Sequence, residues 1–183
     1  MVKFFMQKQR VLTHVLLAGL FLSSCSSDRS EENRKNYYHN DLESYEGWIG
    51  TSGLNLTTKD AHSGKHACET NPSTAVYSLT FSRKLSELSN LPVKNVQMSL
   101  WVKFSEASAK GAYVLSIENE GKTLSYFSFA VEDFAKSPNQ WYQVKGAAVL
   151  PKGLGADDLL KIYFWNKGQS EILIDDFEFS FGN

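Results

Sequence analysis

Residues 96–104 alternate without a break: Val96, Met98, Leu100, Val102 and Phe104 share one parity, and Gln97, Ser99, Trp101 and Lys103 share the other. Successive side chains of an extended chain point to opposite faces, so a period of two predicts a strand with one face buried. A helix, with its period of 3.6, would scatter those apolar residues around its surface. Similar short runs recur down the chain and predict strands at 54–58, 66–70, 75–81, 96–104, 112–118, 123–131, 141–148, 159–165 and 171–180. Turn chemistry separates them at Ser63-Gly64, Asn71-Pro72, Asn119-Glu120-Gly121, Ser137-Pro138-Asn139 and Lys167-Gly168. Amphipathic helical periodicity is nearly absent. The expectation is an all-β domain, an antiparallel β-sandwich or jelly roll of eight to nine strands.

The same parity count picks out large aromatic residues on the polar side of the strands. Trp101 lies opposite the Val96–Phe104 set, and Tyr163 and Trp165 lie opposite Leu160, Ile162 and Phe164. Trp141 falls opposite Tyr142 and Val144, and Tyr126 opposite Phe127 and Phe129. Their neighbours on that parity include Lys103, Gln143, Lys145 and Lys161. Flat apolar rings beside amides and amines suit a ligand with apolar faces and polar edges, as sugars have. Trp101, Tyr126, Trp141, Tyr163 and Trp165 are therefore candidate glycan contacts. The alternative is that a loop or second layer covers the rings, or that a bulge reverses the counted parity.

The N-terminus carries a different message. Lys3, Lys8 and Arg10 precede an apolar run at 11–22, and no acid appears before Asp28. That run is shorter than the roughly 20 residues needed to span a bilayer. It meets Leu22-Ser23-Ser24-Cys25, which resembles the lipobox of bacterial lipoproteins; the alternative is an ordinary secretory signal with a chance cysteine. The resemblance implies cleavage before Cys25 and acylation of its thiol, an anchor to the membrane rather than a span. Residues 1–24 then form the signal peptide, 25–38 the lipidated cysteine and a polar tether, and 39–183 the β-sandwich domain. The tether has no apolar period to bury, and fully extended it reaches on the order of 40 Å. Ser26 after the cysteine resembles an outer-membrane sorting signal, and Asp28, Glu31 and Glu32 resemble the surface-export tails of Bacteroidetes lipoproteins.

The chain holds 19 basic and 20 acidic residues, and the signal removes three basic ones, leaving a formal charge of −4. That balance argues against nucleic acid as a partner. Once Cys25 is acylated, Cys68 has no partner for a disulfide, and its apolar surroundings predict a small buried hydrophobe.

Three segments resemble one family. Asn40-Asp41-Leu42-Glu43 followed by Gly47-Trp48 looks like the first strand of galactose-binding-like jelly rolls. Asp60-Ala61-His62-Ser63-Gly64-Lys65 resembles their tight second-strand turn, and Ile172-Leu173-Ile174-Asp175-Asp176-Phe177 their last strand. The order and spacing are similar to those of carbohydrate-binding modules of the type (CenC-like) appended to bacterial xylanases and glucanases. The resemblance implies a structural Ca2+ tying these three segments together. Glu43 and Asp175 would give carboxylate oxygens, and backbone carbonyls around Ser63 and Lys65 would complete the shell, with Asp41 and Asp176 as further contributors. The alternative is that the paired aspartates are solvated or paired with a lysine.

No catalytic constellation accompanies this pattern. A glycosidase needs two carboxylates flanking the scissile bond, and Asp175, Asp176 and Glu178 sit where the resemblance places the ion. The histidines lack metal-ligand spacing, and no nucleophile elbow or phosphate loop is present. The sequence therefore predicts no enzyme. It predicts a lipid-anchored, outer-membrane carbohydrate-binding module, surface-exposed or periplasmic, or else a structural subunit contacting other envelope proteins.

Overall fold

A computed structural model describes residues 36–44, 48, 55–88 and 92–182. Cys25, the signal and most of the tether lie outside the described residues. Ten strands are present among the described residues: β1 (Tyr37–Asn40), β2 (Leu56–Thr57), β3 (Ala67–Thr70), β4 (Phe81–Lys84), β5 (Asn95–Phe104), β6 (Gly111–Asn119), β7 (Lys122–Ala130), β8 (Tyr142–Val149), β9 (Leu159–Asn166) and β10 (Ile172–Gly182). One helical turn, Leu85–Leu88, follows β4, and a 3-10 turn, Val131–Asp133, follows β7. No described helix is long and apolar enough to cross a membrane.

The strands form two antiparallel sheets. One has the order β2-β3-β10-β5-β8, with β1 also paired to β10, and the other has the order β4-β9-β6-β7. This is the expected β-sandwich. The apolar parity of β5 faces inward as predicted, with Val96, Met98, Leu100, Val102 and Phe104 all buried. They meet Tyr113, Leu115 and Ile117 of β6 and Leu160, Ile162 and Phe164 of β9 in one core. Each fully buried side chain of this size contributes roughly 1.5–3 kcal/mol relative to exposure. Phe179 anchors one end: Tyr38 stacks on it at 5.3 Å, and Phe81 meets it edge-on at 4.6 Å. Cys68 is buried in this core as expected, and burial pushes its thiol up to about 12.

The turn residues act where they were placed. β6 and β7 are joined by Glu120 and Gly121, both at positive φ, with Asn119 opposite Lys122. Two central residues of that kind make a two-residue hairpin that matches the twist of its strands. Two strand expectations change. Residues 75–81 are not one strand: only Phe81 enters β4, and Tyr77 makes an isolated bridge to Trp165. β1 begins at Tyr37, so two residues assigned to the tether pair with β10.

β10 carries a bulge. Its register with β5 shifts between Asp175 and Glu178, and Asp176 takes a positive φ of 46°. The extra residue reverses the side-chain parity, so Leu173 and Asp175 face outward before it and Glu178 and Ser180 after it.

Candidate functional site

The aromatic residues singled out by parity do face outward, but from two different sheets. Tyr126 on β7 and Tyr163 and Trp165 on β9 lie on the outer face of the four-stranded sheet. Trp101 on β5 and Trp141, just before β8, lie on the outer face of the six-stranded sheet. The single aromatic platform implied by the pattern is therefore divided between opposite sides of the sandwich. Strand parity fixes inside from outside, but it does not say which sheet a strand joins.

On the four-stranded sheet the register sets the rings around a narrow centre. Across β9, β6 and β7, Trp165 aligns with Ala112 and Ala130, Tyr163 with Val114 and Ser128, and Lys161 with Ser116 and Tyr126. Ala112, Val114 and Ser116 are on the outward parity yet wholly or almost wholly buried, because the larger side chains on both sides lie over them. Tyr77, which the sequence placed in a strand but not in a site, completes the group. Its bridge to Trp165 brings its ring 5.7 Å from Tyr163 and 6.1 Å from Trp165. Tyr77 is 51% exposed and Tyr126 46%. Tyr77 shares its parity in 75–81 with Leu79 and Phe81, both buried, so alternation alone does not mark it as outward.

Polar groups border these rings. Lys161 Nζ donates to Glu118 Oε2 at 2.6 Å, and Ser116 Oγ donates to Glu118 Oε1 at 3.3 Å. Lys167 Nζ sits 4.9 Å from the centre of the Trp165 ring, within cation–π range. Burial, then the nearby Tyr126, Tyr77 and Glu118, push the Tyr163 hydroxyl up to about 12, so it stays protonated and able to donate. The surface thus offers apolar ring faces with donors and acceptors at their edges.

On the six-stranded sheet the loop between β2 and β3 folds over one end of the outer face. His62 stacks on Trp101 and meets Trp141 edge-on at 5.7 Å. Asp60 accepts from Lys103 and from the Trp141 side chain. Trp101 and Trp141 therefore hold this loop, the covered outcome that the sequence left open for them.

The segments implicated in ion binding also converge on that loop. The backbone N–H groups of His62 and Ser63 donate to Asp175 Oδ2 at 2.7 and 3.0 Å, and that of Asp176 donates to Asp175 Oδ1 at 2.8 Å. Asp176 receives Ser63 Oγ at 2.7 Å, has His62 Nδ1 at 2.5 Å, and lies 3.8 Å from His39 Nε2. Glu43 Oε1 accepts the N–H groups of Lys65 and His66 at 2.6 and 2.8 Å, and His66 Nδ1 lies 3.1 Å from Oε2. These bonds hold Glu43 down to about 2. Asp41 accepts the Glu43 N–H in a local turn.

These positions fit a calcium shell only in part. Calcium takes six to eight oxygen ligands, and the loop meets Glu43 and Asp175 with N–H groups. Among the described residues no three His, Cys, Asp or Glu side chains come together as a metal-ligand set. Asp175 and Asp176 are the part that fits: Asp175 is wholly buried beside a second carboxylate, and burial raises its carboxyl to about 6. A divalent cation there would share the pair with His62 and His39, the basic side chains already beside Asp176. Glu43 accepts loop amides, and Ser63 and Lys65 close the loop through their backbone N–H groups, which leaves their carbonyl oxygens out of these bonds.

No protein-family model and no curated protein matches the sequence. Solved structures do. The C-terminal family 22 carbohydrate-binding module of Clostridium thermocellum Xyn10B superposes with a TM-score of 0.57 at 18% identity, covering 80% of this chain and 93% of that one. The CBM22-2 xylan-binding domain of Paenibacillus barcinonensis Xyn10C gives 0.57 at 15% identity, covering 79% and 99%. The likeness is one of fold. It matches the jelly roll expected from the sequence, and it spans nearly the whole of each module.

Proposed function

We propose that this chain is a non-catalytic carbohydrate-binding module that presents the aromatic face of its four-stranded sheet to a polysaccharide. The observation that carries the reading is the grouping of Tyr77, Tyr126, Tyr163 and Trp165 over the small residues of β6. Flat rings stack on the C–H faces of sugars, while the Lys161–Glu118 pair and the Tyr163 hydroxyl can bond their edges. Further support comes from the fold shared with domains described as xylan-binding. In this reading the lipid on Cys25 holds the module at the outer membrane, and the tether sets its reach.

Affinity electrophoresis in gels containing xylan, with calorimetry against xylohexaose, tests the proposal. Trp165→Ala and Tyr163→Ala are each expected to weaken binding about tenfold, since a stacked ring supplies roughly 1 kcal/mol beyond its buried area. A chain that no polysaccharide retards, or variants that bind as the parent does, would sink it. Labelling cells with an alkyne fatty acid tests the anchor: the parent should carry the label and Cys25→Ala should not.

A further inference from the structure

The six-stranded sheet has an open outer face beyond the part that the β2–β3 loop covers. A groove of about 530 Å³ crosses it, bordered by Tyr37, Gln97, Ser99, Gln143, Lys145 and Glu178. The register explains the convergence. Tyr37, Ser180 and Gln97 form one row across β1, β10 and β5, and Glu178, Ser99 and Lys145 form the next across β10, β5 and β8. Trp101 and Gln143 continue the pattern toward the covered end. All of these side chains except Trp101 and Tyr37 are polar aliphatic, and Tyr37 is 48% exposed at the β1 end.

This face joins a groove to side chains whose bonding capacity is open to a ligand. Glu178 accepts from Ser99 Oγ at 3.2 Å and bonds the Tyr37 hydroxyl. Among the described residues, however, the side chains of Gln97, Gln143 and Lys145 have no hydrogen-bond or ion-pair partner. Each glutamine offers two donors and an acceptor, which is the combination that adjacent sugar hydroxyls require. Lys145 and Glu178 flank Ser99 in the same row and carry opposite charges, so the groove has no net charge with which to select an anion. Four strands at about 4.8 Å spacing make it wide enough for a short oligosaccharide.

From these observations we infer that the outer face of the six-stranded sheet is a second binding groove, for a neutral oligosaccharide. Its amides recognise hydroxyl pairs, and the Tyr37 ring gives one end an apolar contact. It lies on the opposite side of the sandwich from the aromatic face, so one sugar chain cannot occupy both. A lipid-anchored molecule with two such faces would bridge neighbouring glycan chains. The groove goes beyond the proposed function and does not depend on it, whereas the bridging rests on that reading.

The test uses the full chain and three variants: Tyr163→Ala/Trp165→Ala, Gln97→Ala/Gln143→Ala, and the combination of the two. Each is titrated calorimetrically with neutral hexasaccharides, xylohexaose first, and with a uronic-acid oligosaccharide. Gln97 and Gln143 have no described partners to lose, and unchanged melting would confirm that their variants fold. The Tyr163→Ala/Trp165→Ala chain should keep measurable binding to a neutral oligosaccharide, and adding Gln97→Ala/Gln143→Ala should weaken it at least tenfold. No residual binding in the first variant, equal binding in the combined variant, or residual binding only to the acidic sugar would each overturn the groove. Failure of the aromatic face reads differently, as unchanged binding on Tyr163→Ala/Trp165→Ala alone.

Discussion

The His62 imidazole lies flat on the Trp101 indole, with ring centres 3.8 Å apart and planes 14° from parallel. His62 is also tied to Asp176 through its ring and to Asp175 through its backbone N–H. One side chain therefore links the β2–β3 loop to β5 and to the bulge of β10. Replacing His62 by alanine should destabilise the domain by about 1 kcal/mol, the usual worth of a ring pair beyond its buried area. It should also expose Trp101 and shift the tryptophan emission to longer wavelength, while xylohexaose binding at the aromatic face stays unchanged. A loss of that binding would place Trp101 in the aromatic site after all.

Gly64 shows how tightly the same loop is closed. Its φ is +60°, and a Cβ built on it would lie 2.4 Å from Glu43 Oε1. Gly64→Ala therefore meets two costs together, a left-handed backbone conformation and displacement of the carboxylate that accepts the Lys65 and His66 amides. A loss of about 1–3 kcal/mol in a urea melt is expected. Gly121→Ala has the strained φ but no atom near its Cβ, and should cost less. Equal losses at both positions would mean that Glu43 moves aside freely.

The buried Tyr113 hydroxyl makes a contrasting case. It is the one buried side-chain polar atom found without a hydrogen-bond partner among the described residues, and burial holds its pKa well above the ordinary value. Removing an unsatisfied hydroxyl while keeping the ring should relieve its desolvation cost. Tyr113→Phe is expected to raise the unfolding free energy by roughly 1 kcal/mol. A clear drop would show that a water or a residue outside the described set pairs with it.

How much of this was legible beforehand depended on distance along the chain. The alternation at 96–104 and the turn residues at Ser63-Gly64 and Asn119-Glu120-Gly121 reflect local steric rules, and β5 and both turns follow them. The outward side of Trp101 and Tyr163 was equally local. What could not be read was that β5 and β9 enter different sheets, because sheet assignment depends on pairings such as Trp101 with Asp175 and Tyr163 with Val114, far apart in sequence. Tyr77 was hidden for a related reason: its segment alternates in sequence, but Tyr77 meets β9 through an isolated bridge rather than a continuous strand, and its ring lies outward. Glu43 and Asp175 meet one loop although they lie far apart in sequence, and their use in accepting its amides emerges only from the folded loop.

The calcium ion implied by the resemblance gives a direct prediction. If Asp175 and Asp176 bind it, added Ca2+ should raise the melting temperature of the metal-free chain, since a ligand that binds only the folded state stabilises it by mass action. A chelator should reverse the rise, and Asp175→Asn should abolish the response. The hydrogen bonds to Glu43 do not require the ion, so Glu43→Gln should lower stability without removing the calcium response. A melt indifferent to both Ca2+ and chelator would leave the loop held by its amides and His62 alone.

The same carboxyl sets the pH dependence in the absence of divalent cations. Burial, against the pull of its N–H donors, raises the folded-state pKa of Asp175 to about 6 from 3.8. The folded chain then holds a proton that the unfolded chain has released between those values. Stability from this group is greatest below pH 3.8 and is lost as the pH rises through 6, at about 1.4 kcal/mol per tenfold change in acidity. Glu43 works in the opposite sense. Its pKa of about 2 means its contribution is present above pH 4.5 and is lost as the pH falls toward 2. The melting temperature of metal-free protein should therefore be higher near pH 5 than at pH 7, while below pH 5 the gain from Asp175 and the loss from Glu43 oppose each other. Asp175→Asn should flatten the profile between pH 5 and 7 and uncover a fall below pH 4.5, and Glu43→Gln should weaken that fall alone. Parallel profiles for the parent and Asp175→Asn from pH 5 to 7 would show that this carboxyl is ionised in the fold at little cost.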